Sequence, residues 1–177
     1  MKKLLLLFTL IIFSLALFSQ EKNRVNIGMD MYLFKMIYPK VIPVNAATSG
    51  QWGRKDTLYG LPGSWAYNFA EGKLDWCLWD IYIDSITKPN FEKCLAAAKA
   101  LIKKYTDDYG KPIEYKVADT TYRDPYVKRH WGYDVIYAKW TTDKIKFKIE
   151  FTFMGGKEQY SFLVKMGFFD KDYPYWD

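Results

Sequence analysis

Between Lys144 and Phe153 the chain alternates without a break. Ile145, Phe147, Ile149, Phe151 and Phe153 fall on one side, and Lys144, Lys146, Lys148, Glu150 and Thr152 on the other. Successive side chains of an extended chain point to opposite faces, so this segment is a strand with one face on a core and one in water. A helix would wind lysine and phenylalanine around the same surface. Thr142-Asp143 and Gly155-Gly156 supply turns on either side. The pattern therefore predicts a three-strand meander over 132–141, 144–154 and 158–168.

A second period sits upstream. Phe91, Cys94, Leu95, Ala98, Leu101, Ile102 and Tyr105 recur at three-to-four spacing and predict a helix over 89–109. Pro89 suits a first turn, where its missing N–H costs nothing, and Gly110 with Pro112 suits a stop. Before it, Trp65, Tyr67 and Phe69 alternate with small residues, Glu71-Gly72 makes a turn, and a return strand runs over 73–84 with apolar residues on both faces. That double pattern predicts a central strand covered on both sides, with a β-bulge near Asp80. Val25, Ile27, Met29, Met31 and Leu33 alternate as a strand would, but Leu33, Met36 and Ile37 fit a short helix beginning near Asp30 and ended by Pro39, and the helix is the expected element. Residues 39–56 read as loop, punctuated by Pro43, Gly50 and Gly53. The expected class is α+β: an antiparallel sheet with one long helix packed on one face, a pattern also compatible with two diverged helix-plus-sheet halves.

The N-terminus constrains location. Lys2 and Lys3 precede an uncharged apolar stretch from Leu4 to Phe18, about 15 residues long, and Ser19-Gln20 closes it. A spanning helix needs about 20 residues, so this is the pattern of a secretory signal peptide. An uncleaved anchor is the alternative. The expectation is residues 1–20 as leader, removed near Ser19 or Gln20, and 21–177 as a single exported domain, periplasmic or extracellular. No cysteine stands at the end of the stretch to carry a lipid, and no later segment is long and apolar enough to span a membrane. Export makes nucleotide cofactors and genomic DNA poor candidate ligands. The net charge of +6 falls to +4 without Lys2 and Lys3, and no dense basic stripe for nucleic acid is present.

Cys77 and Cys94 are the two cysteines. An oxidising compartment permits a disulfide between them, and two buried thiols are the alternative.

The run Tyr109-Gly110-Lys111-Pro112 at a helix end that also carries Leu101 and Tyr105, followed by a meander, resembles a class of small exported bacterial domains. Its members include the β-lactamase-inhibitor-protein-like domains and the small lipoprotein of the outer-membrane β-barrel assembly machinery. The resemblance spans residues 89–168 and implies a non-catalytic role in binding a protein partner. The lipid-attachment cysteine of the lipoprotein has no counterpart here.

Catalytic constellations are thin. His130 is the only histidine, and no Gly-x-Ser-x-Gly elbow accompanies it. Asp75, Asp80 and Asp84 form no recognisable acid–base pair, and Asp107, Asp108, Asp170, Asp172 and Asp177 lack the glycine-centred loop of a calcium site. No metal or cofactor is expected. Aromatic residues make up 19% of the chain, with seven tryptophans. Tyr122, Tyr126, His130 and Trp131 share an irregular segment with Arg123, Lys128 and Arg129, and this set is the expected binding rim. The expected function is an exported, non-catalytic domain that binds a protein or an envelope component. An aromatic-lined glycan-binding module and a small secreted hydrolase are the other readings.

Overall fold

A computed structural model describes residues 26–44, 50–118, 120–122, 133–156 and 159–174. Among them the order is α1 (Met31–Ile37), β1 (Ile42–Pro43), β2 (Gln51–Leu58), β3 (Leu61–Ala70), β4 (Lys73–Ile83), α2 (Lys88–Tyr109), β5 (Glu114–Val117), β6 (Tyr133–Thr141), β7 (Ile145–Gly156) and β8 (Gln159–Asp170). The class is α+β. All eight strands join one antiparallel sheet in the order β1-β2-β3-β4-β8-β7-β6-β5. Each half of that order is a meander in sequence, and the last strand of each half meets the other at the centre.

The helices form where the sequence supplies caps. Asp30 accepts from the N–H groups of Tyr32 (2.8 Å) and Leu33 (3.4 Å), which starts α1. The alternating reading of that segment gives way to this cap. Phe34 is the buried residue of α1, with its ring 4.7 Å from Tyr67 and 5.1 Å from Phe69. Thr87 caps α2 by accepting from Asn90 N–H at 3.4 Å, and Gly110, at φ 82°, ends it. The Phe91 ring lies 5.3 Å from Phe151 and 5.7 Å from Phe162, and Tyr105 lies 5.5 Å from both Phe147 and Phe168. These rings interdigitate with inward residues of β7 and β8.

The bulge is real but displaced. It falls in the β3–β4 ladder, where Phe69 faces Leu74 and Asn68 faces Trp76, leaving Asp75 as the extra residue. One added residue flips the parity of everything beyond it. Leu74 thereby shares the core face with Cys77, Trp79 and Ile81, all buried. Trp76 and Leu78 turn to the other face, where they are half-buried rather than covered.

The segment expected as loop contains strand β2, for a physical reason. Its inward positions include Arg54 and Asp56, which carry no hydrophobic signal. Asp56 offsets their burial by accepting from Arg54 Nη2 at 2.8 Å and from the buried Trp65 indole N–H at 3.2 Å. The Arg54 guanidinium also lies 5.3 Å from the Tyr38 ring centre.

Cys77 and Cys94 are free, buried thiols, and the permitted disulfide is not formed. Cys77 is locked into the sheet between Tyr67 and Phe168, and burial pushes its thiol well up despite a backbone hydrogen bond from Phe168. Burial likewise raises Cys94 to about 11. Both should therefore resist a maleimide reagent at neutral pH in the native protein and react once it is unfolded. A protein that stays unreactive after denaturation until reductant is added would hold the disulfide instead.

Gly63 marks the tightest approach in the sheet. A Cβ there would lie 2.6 Å from the Asp80 carbonyl oxygen and 2.7 Å from the fully buried Trp79 ring. Backbone cannot swing aside, so Gly63→Ala should destabilise by about 1–3 kcal/mol in chemical denaturation.

Candidate functional site: the open face of the sheet

The buried rings of both helices meet the same face of the sheet. The side chains that alternate with the core residues make the opposite face, and among the described residues directly paired on it only Tyr137 is a buried side chain. The ladders set these residues in rows across strands. One row runs Lys55, Ser64, Asp80, Lys165, Glu150, Tyr137, Lys116. The next runs Ala66, Leu78, Gly167, Lys148, Lys139, Glu114. A third sets Trp76 against Phe169 and Phe169 against Lys146.

Three features stand out on this surface. The first is a shallow open depression of about 740 Å3, lined by Lys55, Thr57, Pro62, Ser64, Asp80 and Tyr82 among others. Asp80 sits half-buried on its wall. Burial raises its carboxyl above the usual range, and the facing Lys165 pulls the other way without cancelling the effect. The second is a ladder of charge: Glu150 receives Lys148 at 3.3 Å and Lys165 at 3.8 Å. The Glu150 side chain is 16% exposed, and those of Lys148 and Lys165 are 23% and 28% exposed, so these lysines are held against the sheet rather than waving in solvent.

The third feature is apolar. Phe169 folds over Gly167, where a Cβ would lie 2.7 Å from the ring and 3.2 Å from Leu78 Cδ1. With Trp76 opposite and Tyr173 at 5.1 Å, these residues form a patch beside Lys146 and Lys148. Chemically, the face can offer aromatic and aliphatic contact framed by ammonium groups. Acid–base chemistry would need a second group placed beside Asp80; its nearest charged neighbour in the ladder is Lys165.

The expected rim is only partly within view. Tyr122 donates its hydroxyl to the Ile86 carbonyl at 3.2 Å and packs its ring, tilted by 59°, 5.8 Å from Phe91, so it ties its segment to the entry of α2. Arg123, Tyr126, Arg129, His130 and Trp131 lie outside the described residues. Trp65, Trp79 and Trp140 are buried, and Trp52 and Trp76 half-buried. Trp131 and Trp176 lie outside the described residues. Among the described residues no cluster of three or more histidine, cysteine or carboxylate groups lies together. Trp76, Leu78 and Phe169 were hidden from sequence reasoning because they come from strands far apart in the chain, and the β4–β8 register alone makes them neighbours.

Compared with protein-family models, with curated proteins and with solved structures, the chain matches none.

The raised carboxyl of Asp80 has a definite sign. The folded state binds its proton more tightly than the unfolded state, so the ionised form destabilises the fold at neutral pH, and this penalty fades as pH falls through the folded value. Asp80→Asn should accordingly melt higher than the wild type at pH 7, the gap closing below the ordinary carboxylate range. Equal or lower melting of the variant at pH 7 would show that the attraction to Lys165 dominates.

Proposed function

We propose that this chain is an exported, non-catalytic binding domain, and that its open sheet face receives a protein partner or an envelope component bearing acidic groups. One observation carries the reading: an eight-stranded sheet spends one face on its core and leaves the other with an apolar patch of Trp76, Leu78 and Phe169 set among Lys146, Lys148 and Lys165. Solvated faces of antiparallel sheets are ordinarily polar, and aromatic residues framed by a polar rim are the anatomy of protein-binding surfaces. The leader-like N-terminus supports export, and among the described residues no helix is long and apolar enough to cross a membrane. In this reading α2 is the one long helix covering the core face. The two meanders that meet at β4 and β8, each preceded by a helix, are two diverged halves sharing one sheet.

The test is site-specific photocrosslinking in the envelope fraction of the native host. A photoreactive residue at Tyr82 or Lys146 should capture the same discrete partner, and one at Lys99, on the exposed side of α2, should not. Leu78→Glu should abolish capture with the fold intact, because it places a charge in the patch. Capture from all three positions alike, or turnover of a substrate by the purified protein, would overturn the reading.

A further inference from the structure

The sheet has two ends, and they are finished differently. At the β2 end, β1 pairs with Trp52 and Gly53, and Asp56 Oδ1 takes the N–H of Thr57 at 2.8 Å. That end is partly covered and partly blocked. At the other end stands β5, whose residues are all exposed. Ala118 N–H donates to the Val135 carbonyl at 2.9 Å, so by alternation Lys116 and Glu114 also turn their backbone groups toward β6. Tyr115 and Val117 turn theirs outward, where no described strand pairs with them. Their side chains, with Ile113 just before, are 55%, 47% and 66% exposed. An apolar edge of this kind is a template for strand addition.

We propose that a second copy of this chain docks on this edge, β5 against β5, antiparallel about a two-fold axis at Tyr115. The sequence of the edge is self-complementary in that register. Tyr115 meets the partner's Tyr115 as a hydrogen-bonded pair, using the backbone groups that face outward. Glu114 meets the partner's Lys116 and Lys116 meets the partner's Glu114, both on the open face. Val117 of each copy reaches past that pair toward the partner's Ile113, whose own N–H is turned inward to the Lys139 carbonyl at 2.8 Å and stays out of the new ladder. Opposite charges and matched apolar residues directly across a ladder are the pairs that stabilise antiparallel strands. Shifting the axis by one residue, to Lys116, sets lysine against lysine and removes both charge pairs, so the register is specified. Glu114 carries its charge on the open face, where it is shared with its own sheet. The Tyr137 hydroxyl and Lys139, at 3.6 Å, hold its carboxylate on the open side and keep it below the usual carboxylate range. A two-fold axis normal to the sheet makes the contact isologous and closed, so assembly stops at two. The joined sheet is continuous, with the open faces of both copies on one side.

The test follows the mass of the full chain over a concentration series by analytical ultracentrifugation, with circular dichroism melts to confirm that each variant is folded. The wild type should show a concentration-dependent monomer–dimer equilibrium. Tyr115→Pro, which removes an outward N–H that the fold itself does not use, should leave only monomer. Glu114→Lys and Lys116→Glu each turn both charge pairs repulsive and should each weaken the dimer by about tenfold or more. Mixed in equal amounts, those two variants restore both pairs across a heterodimer and should recover wild-type affinity. A wild type that stays monomeric, a dimer indifferent to Tyr115→Pro, or a mixture no tighter than its components would each overturn the proposal.

Discussion

From Trp76 to Ile83 the backbone of β4 is bonded to β8, with Cys77 opposite Phe168, Trp79 opposite Met166 and Ile81 opposite Val164. Every one of those six side chains is buried. Without this seam the chain would hold two short meanders, each with a half-exposed core, and a four-stranded sheet of that kind has little apolar area to hold it together. With it, Phe34 under α1 and Phe91 under α2 belong to one continuous cluster of buried residues. The seam also creates the surface on the other side. Asp80 faces Lys165 and Trp76 faces Phe169 only because these two strands are neighbours.

The edges of the sheet depend on polar chemistry where the centre depends on burial. β2 carries an arginine and an aspartate on its inner face, and it stays a strand because the pair satisfies itself and the Trp65 N–H together. The Arg54 Nε remains buried with no acceptor among the described residues, so the arrangement is costly even when made. Lys35 adds a cation 3.9 Å above the Trp52 ring centre at the same margin. These contacts fix how α1 sits on the first meander, where a single buried phenylalanine would be a weak anchor.

What could be read from the sequence followed from local period. β7 and α2 were legible because each keeps one face apolar for its whole length, and the Glu71-Gly72 turn because both residues take positive φ (51° and 77°) in a two-residue hairpin. β2 was illegible because Arg54 and Asp56 occupy core-side positions. β5 was illegible because four exposed residues leave no burial pattern. Leu74 was illegible for a sharper reason: a single extra residue at Asp75 puts it on the face of Cys77 instead of that of Trp76, and nothing in the composition of the strand announces it. The surface site was least legible of all. Its members come from β4, β7 and β8, and their adjacency is decided by long-range register, whereas Tyr122, singled out for its irregular neighbourhood, turned out to anchor a loop to Ile86.

The same central seam has a kinetic side. Cys77 cannot find Phe168 until α2 and three further strands have been made, so the closing contact of the fold joins residues far apart in the chain. Loop-closure entropy must be met before that contact gives anything back, and folds dominated by such pairings form slowly. During synthesis the first meander therefore waits with Trp79 and Ile81 unshielded until the final strand emerges.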